Sequence, residues 1–290
     1  MTVLANPFAG GGVKDELPEH WQLETCPPEE LESRLEEVAK QHVAAIGVAG
    51  GDGTQRCAAQ ALAGSSTALA VIPAGTRNHF ARLLGTGTIE AAQAAVEAGT
   101  KERVDIGRCD GLAFVNNATF GWYTDFVRSR DSLVHRGWSK RVAHWVAPFR
   151  LLRRHRDLEV QLAGVTERTW MVWIGNGEFG LSPTTLNSRP IPTTGVLDVR
   201  FVRSDARLAK LRVLIGLLFR RLEKSPLLVR SITPAARLRF SARKVSVALD
   251  GEVVQVDGDV QIHTDPRQLL VFLGVDAATS MDGSKSDRDG

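Results

Sequence analysis

The chain has 290 residues, 43% apolar and 24% charged, with a formal net charge of +3, the composition of a soluble globular protein large enough for two modest cores. No apolar run reaches bilayer length: the strongest, Leu211–Phe219, is broken by Arg212 and flanked by Arg220 and Arg221. Three widely spaced cysteines without a CxxC pair exclude a disulfide framework and a zinc site, no leader is expected before the first strand, and the expected location is the cytoplasm.

The first hundred residues alternate short apolar strands with helical segments. Strands are predicted at Thr2–Ala5, Trp21–Thr25, Val43–Ala49 and Ala68–Ile72, the last two apolar enough to be buried on both faces of a parallel sheet. Pro27-Pro28-Glu29-Glu30 opens a helix with proline and acids in its first turn, and Leu31, Leu35 and Val38 keep helical spacing. A second helix is predicted over Gln55–Ala63. Beyond Gly99 strands follow at short intervals: Arg103–Ile106, Leu112–Ala118, Leu158–Leu162, Thr169–Ile174, Val196–Val202, Ala236–Phe240, Lys244–Leu249 and Leu269–Leu273. Helices are predicted near Lys140–His155 and Leu208–Arg221, and the small polar tail Ala277–Gly290 is expected to be disordered.

The predicted architecture is therefore an α/β domain over residues 1–107 and a β-sandwich over residues 108–276, whose last strand could return to the first domain. Charge divides in the same way. Residues 1–105 carry 8 Lys/Arg against 14 Asp/Glu, and the remainder carries 28 against 19. A basic C-terminal half suits an anionic surface, although such arginines also serve plain solvation.

The chemistry concentrates where strands end. Val43–Ala49 empties into Gly50-Gly51-Asp52-Gly53-Thr54, and Ala68–Ile72 into Pro73-Ala74-Gly75-Thr76-Arg77-Asn78. Glycines let backbone N–H groups close on an anion, and a following helix N-terminus adds positive dipole. Asp52 would repel bare phosphate, which points to a metal–nucleotide or a sugar hydroxyl. Thr76 and Asn78 can donate to phosphate or ribose, and Asn6 ends the first strand. Ligands sit beyond the carboxyl ends of parallel strands, so Asn6–Gly12, Gly50–Thr54 and Pro73–Asn78 are expected to converge. Far downstream, Leu249-Asp250-Gly251-Glu252 offers a carboxylate at a turn: a general base, or a solvated hairpin residue. His79, His144 and His263 have no ligand spacing. Asn176 and Glu178 read as turn residues that could also line the cleft.

In order along the chain, these motifs resemble the diacylglycerol kinase catalytic-domain family, which includes bacterial lipid kinases and sphingosine kinases. The series runs through Asn6-Pro7, Gly50–Thr54, Pro73–Asn78, Val104-Asp105-Ile106-Gly107, Phe114-Val115-Asn116, Gly175-Asn176-Gly177, Gly195-Val196-Leu197-Asp198 and Leu249–Glu252. The resemblance implies a three-layer α/β domain, a C-terminal β-sandwich, and ATP with Mg²⁺ in the cleft between them. It implies nucleotide-binding roles for Asn6, Thr25, Gly50, Gly51, Asp52, Gly53, Thr54, Thr76 and Asn78. Glu252 matches the family's proton acceptor, with Asp250 supporting a metal and water network. The sequence departs from the family at Arg56 and Cys57, where Asn-Glu is usual, and at His79, where Asp is usual. It also departs at Thr193-Thr194, where Asp-Asp is common, and Thr194 is a poor ligand for the structural Mg²⁺ of bacterial members.

The reading is an ATP-dependent lipid kinase with a diacylglycerol-like acceptor and Glu252 as base, peripherally attached to an anionic membrane surface. Nucleic acid is not an expected partner, and a homodimer is left open. The alternatives are an NAD kinase, which shares the glycine loop, and a nucleotide-binding regulator without catalysis.

Overall fold

In the computed structural model the described residues are 1–6, 16–121, 124, 158–162, 165–180, 190–204, 228–275 and 277–278. The helices predicted at Lys140–His155 and Leu208–Arg221 lie outside the described residues, as does most of the tail.

Four parallel strands form the N-terminal sheet in the order β2-β1-β3-β4: β1 (Thr2–Ala5), β2 (Gln22–Thr25), β3 (Ala45–Gly50) and β4 (Ala68–Pro73). Strand periodicity divides their side chains between two apolar layers. Leu4, Ile46, Val48, Leu69 and Val71 face one core, with Leu31, Leu35 and Val38 of α1 (Pro28–Lys40) and Ala58, Ala59 and Leu62 of α2 (Asp52–Leu62). Val3, Ala5, Ala49 and Ile72 face the other, against Ile89 and Ala92 of α4 (Ile89–Ala98). Covering on both faces is what the apolar runs of β3 and β4 require.

One helical boundary differs from expectation. The helix after the first glycine loop begins at Asp52, three residues before the predicted Gln55, with Gly51 as its N-cap and no side-chain cap. The short α3 (His79–Leu83) follows the second glycine loop. The α4 helix is absent from the sequence-based reading. Its apolar face is mostly alanine, yet Thr88 caps its N-terminus by accepting from Ala91 N and Gly99 closes it at φ +70°.

The second half is largely β and remains joined to the first by hydrogen bonding. β5 (Lys101–Cys109) crosses the expected boundary at residue 107, and β6 (Leu112–Phe114) folds back on it. Leu112–Ala118 is two strands rather than one, because the chain bends at the buried Val115 and Asn116 before β7 (Asn117–Gly121). β8 (Leu158–Leu162), β9 (Val165–Asn176), β10 (Leu197–Arg203) and β11 (Leu228–Thr233) follow. β12 (Ala235–Leu249) pairs with both β7 and β8, and each of these pairs with β9, so the hydrogen bonding closes on itself. The predicted strands Ala236–Phe240 and Lys244–Leu249 are one strand with a register shift between Arg239 and Lys244. Gly258 faces that irregularity, where a Cβ would strike the Ala242 carbonyl.

β13 (Glu252–Phe272) links the halves. It pairs antiparallel with β12 and β5 along its length and parallel with β4 at Val271↔Leu69. Residues 252–268 of this strand, seventeen in all, lie outside the strand predicted at Leu269–Leu273. Their strict alternation, with Val256, Val260 and Ile262 buried between exposed Asp257, Asp259 and Gln261, is a clear period of two.

Two buried carboxylates fasten this frame. Asp198 accepts from Phe179 N and from the Arg200 and Arg230 guanidiniums; burial opposes its charge, but those donors outweigh it and hold the carboxyl below its ordinary value. Asp105 accepts from Gly195 N at 2.7 Å and Arg267 N at 2.9 Å, tying β5 to the 192–195 loop and the bend in β13. Truncating Asp105 to Ala would leave two backbone donors with no carboxylate partner, at a cost of about 1–3 kcal/mol each. Urea denaturation of Asp105→Ala should therefore show a loss of roughly 2–5 kcal/mol, against little change for the exposed Asp257→Ala.

Candidate active site

The carboxyl ends of the parallel strands lie level. Ala5 is in register with Thr25 on one side and Ala49 on the other, and Gly50 is in register with Pro73. Asn6, Thr25 and both glycine loops therefore leave one edge of the sheet. Asn6 N donates to Ala49 O at 3.4 Å, and Thr25 is exposed. The glycines after Asn6 belong to residues 7–15, outside the described residues, so the first of the three expected loops is represented only by Asn6.

The two described loops touch backbone to backbone. A Cβ on Gly75 would lie 2.5 Å from Gly51 Cα and 3.3 Å from Gly51 N, a contact that only hydrogen permits. Gly50 is equally obliged, because Thr54 folds back over it. Asn78 closes the second loop on itself from a left-handed conformation (φ +50°): its Oδ1 accepts from Gly75 N at 2.9 Å and its Nδ2 donates to Gly75 O at 2.8 Å. Thr76 is exposed beside it. These loops form a cradle of small residues over the N-terminus of α2, whose first amides no side chain caps. A group of phosphates suits that cradle in shape and in charge.

Asp52, in the first turn of α2, accepts from Phe80 N at 3.1 Å and from Asn116 Nδ2 at 3.4 Å. It thus joins α2 to α3 and to the β6–β7 bend, and Asn116 is a site residue that the sequence placed only within a motif.

The second half of the site is a hairpin. Asp250 (φ +51°) and Gly251 (φ +96°) make the tight turn between β12 and β13, both in the conformation that a two-residue hairpin demands. The Asp250 carboxylate accepts three successive amides: Val115 N at 2.8 Å, Asn116 N at 2.7 Å and Asn117 N at 2.9 Å. Burial pushes its carboxyl up to about 6; the three amides oppose that rise, and the Asp52 carboxylate adds to it. Asp250 thus organises the bend that carries Asn116.

Glu252 follows as the first residue of β13. Its side chain reaches back to the first glycine loop, where a Cβ on Gly53 would overlap the Glu252 Oε1. Its other oxygen, Oε2, accepts from Arg56 Nη2 at 2.9 Å. A residue 199 positions along the chain from Gly53 is therefore set directly on the glycine cradle. Arg56 entered the sequence reading only as a departure. Starting the helix at Asp52 puts Arg56 one turn further along the same face, and that spacing is the signal that would have found it.

Asn176 is buried at the end of β9, with its Nδ2 donating to Asp105 O at 2.8 Å and Val115 O at 3.3 Å; it braces the bend rather than lining a turn. Thr194 is exposed in the loop that Asp105 holds. Among the described residues no group of three or more His, Cys, Asp or Glu is placed to hold a metal ion. Asp52 and Asp250 are a neighbouring carboxylate pair that suits a cation delivered with nucleotide phosphates. No described helix is long and apolar enough to cross a membrane.

Residues 1–109 match the family model described as the diacylglycerol kinase catalytic domain. The chain is 39% identical over 90 residues to "Probable lipid kinase YegS-like" of Pseudomonas aeruginosa PAO1, a match spanning 30% of either chain. It is 30% identical over 183 residues to a diacylglycerol kinase of Mycobacterium tuberculosis H37Rv, spanning 58% of either chain. The matched span is thus less than two thirds of the length of these relatives. In fold the chain resembles a diacylglycerol kinase of Bacillus anthracis str. Sterne, with TM-score 0.65 and 18% identity over 95% of this chain and 97% of that one. An NAD kinase from Archaeoglobus fulgidus, solved with ATP, shares the fold more loosely, with TM-score 0.52 and 15% identity over 97% of each chain.

The Asp250 geometry sets a pH dependence. With a carboxyl raised from 3.8 to about 6, the folded state holds a proton that the unfolded chain releases. This contribution is fully present below pH ~4 and is lost as pH rises through ~6. Comparing the parent with Asp250→Asn by urea denaturation, the parent's stability relative to the variant should fall by roughly 2 kcal/mol between pH 4.5 and 6.5. A difference that stays flat over that interval removes the buried proton.

Proposed function

With a diacylglycerol kinase catalytic domain matched at residues 1–109 and homologues named as lipid kinases, we propose that this protein transfers the γ-phosphate of MgATP to a lipid hydroxyl, with Glu252 as general base. A diacylglycerol-like molecule is the leading acceptor. The observation that carries the reading is the seating of Glu252 on Gly53, which brings a half-exposed carboxylate to the cradle built for phosphates.

The division of labour follows from residue chemistry. The amides opening α2, with the hydroxyls of Thr54 and Thr76, take the phosphate oxygens and hold them against the glycine backbone. Asn6 and Thr25, at the same sheet edge, border the nucleotide. Asn78 acts on the phosphates through the loop it closes. Asp52 and Asp250 would help to hold the cation that accompanies ATP, whose charge would offset that of the phosphates facing the incoming hydroxyl. Glu252 takes the proton of the lipid hydroxyl as its oxygen bonds to the γ-phosphorus, the bond to the β-phosphate oxygen breaks, and ADP departs. Because the Glu252 side chain is 55% exposed, the proton then passes to water.

A lipid acceptor also suits the charge distribution. The C-terminal half carries the excess of positive charge, and exposed Arg243 and Lys244 sit on its β12. We assign that half to the anionic membrane surface. Arg150, Arg153 and Arg154, the other candidates for this contact, lie outside the described residues.

The deciding assay follows labelled γ-phosphate from MgATP into diacylglycerol and other lipids in mixed micelles, with NAD in parallel. Label should enter lipid, and Glu252→Gln should lower turnover roughly 10²–10⁴-fold while ATP binding stays within about twofold. Label in NAD instead would make the chain an NAD kinase. ATP binding with no label anywhere would leave a regulator, and full turnover in the variant would remove Glu252 from the chemistry.

A further inference from the structure

The structure assigns Arg56 as the positioning residue of Glu252, an assignment that rests on reading Glu252 as the base. The two oxygens of the Glu252 carboxylate have different neighbours. Oε2 accepts from Arg56 Nη2 at 2.9 Å, whereas Oε1 lies over Gly53 in the phosphate loop. Gly53 and Arg56 are three residues apart on α2 and share a face, so one helix supplies both the seat and the clamp.

Exposure says which partner is fixed. The Arg56 side chain is 17% exposed and that of Glu252 55%. Arg56 is packed against the protein, and its Nε is a buried donor without a protein acceptor. Glu252 is the free-swinging member, with several rotatable bonds to distribute over solvent. Clamping Oε2 removes most of that freedom and leaves Oε1 facing the cradle, where the acceptor hydroxyl must come. Guanidinium suits this role because it keeps its charge at any working pH and cannot compete for the proton that Glu252 takes. A half-exposed ion pair of this kind adds only about 0–1 kcal/mol to stability. Its consequence therefore belongs to turnover, where misplacing a reacting group by about 1 Å can cost 10²-fold.

The test is a cycle in the full chain: Arg56→Gln, Arg56→Lys, Glu252→Gln and the double variant Arg56→Gln/Glu252→Gln. Each is measured for kcat and KM of ATP with diacylglycerol micelles, and each is melted thermally. Arg56→Gln should lower kcat roughly 10–100-fold with KM for ATP within about twofold. Arg56→Lys should recover part of that loss, since an ammonium can hold one oxygen. In the Glu252→Gln background, Arg56→Gln should cost nothing further, because nothing remains to be positioned. An equal loss in both backgrounds, or a loss appearing in KM, would make Arg56 a direct phosphate contact and overturn the proposal. Full kcat in Arg56→Gln, with Glu252→Gln inactive, would overturn the positioning role alone. Full activity in Glu252→Gln, or no transfer by the unsubstituted chain, would instead overturn the reading beneath it. If Arg56→Gln melts far below the parent, Arg56→Lys carries the same comparison: a partial loss confined to kcat supports the clamp, and an unchanged kcat or a loss in KM overturns it.

Discussion

The candidate site depends on one buried carboxylate gripping the backbone of a distant segment. Asp250 gathers the amides of Val115, Asn116 and Asn117, and that grip fixes the hairpin turn relative to the β6–β7 bend. The bend in turn presents Asn116 to Asp52 in the first turn of α2. Two carboxylates from opposite ends of the chain are thus joined through a single asparagine. Removing water from Asp250 is costly, and three well-directed donors offset only part of that cost. They also leave the turn one acceptable orientation, with Glu252 aimed at the phosphate loop.

β13 makes that orientation possible over so long a sequence separation. It leaves the turn, traverses the C-terminal half beside β12, bends at Pro266–Gln268, and ends beside β4 in the parallel sheet. The strand that begins with Glu252 therefore finishes in the sheet that launches the glycine loops. Asp105 secures the bend by binding Arg267 N, and through Gly195 N it also holds the loop before β10. A carboxylate carried on an independent domain would move with every flexing of a linker. Glu252 is instead carried on the frame that launches the glycine loops.

Much of this was legible in the sequence, and the unread parts have physical causes. β3 and β4 show as apolar runs because both faces are covered, and α1 shows because three large residues keep one stripe. α4 escapes because alanine gives helical propensity but almost no hydrophobic contrast, leaving only Thr88 and Gly99 as markers. The start of β13 escapes because its alternation runs through Asp257, Gly258 and Asp259, residues that disfavour strands. The glycine loops and Glu252 can be read as residue types, but their meeting cannot: nothing local to Gly53 or to Glu252 states that they touch. Asp250 reads as a metal-supporting carboxylate by resemblance, whereas in the fold it accepts hydrogen bonds from three backbone amides, invisible without the fold.

Helix geometry decides what the departures at the glycine loop mean. A helix beginning at Gln55 would leave Asp52 and Gly53 in the loop, with no fixed relation to Arg56. Beginning at Asp52, it sets Asp52 and Arg56 one turn apart, with Gly53 between them. Asp52 then reaches Phe80 N and Asn116, while Arg56 reaches Glu252. One turn of helix thereby contacts the second glycine loop's helix, the β6–β7 bend and the hairpin. A neutral side chain at position 56 could pack there, but it could not hold a half-exposed carboxylate by charge. On the proposed reading, Arg56 compensates for the exposure of Glu252: a carboxylate open to an acceptor from outside is kept aimed by a mostly buried guanidinium.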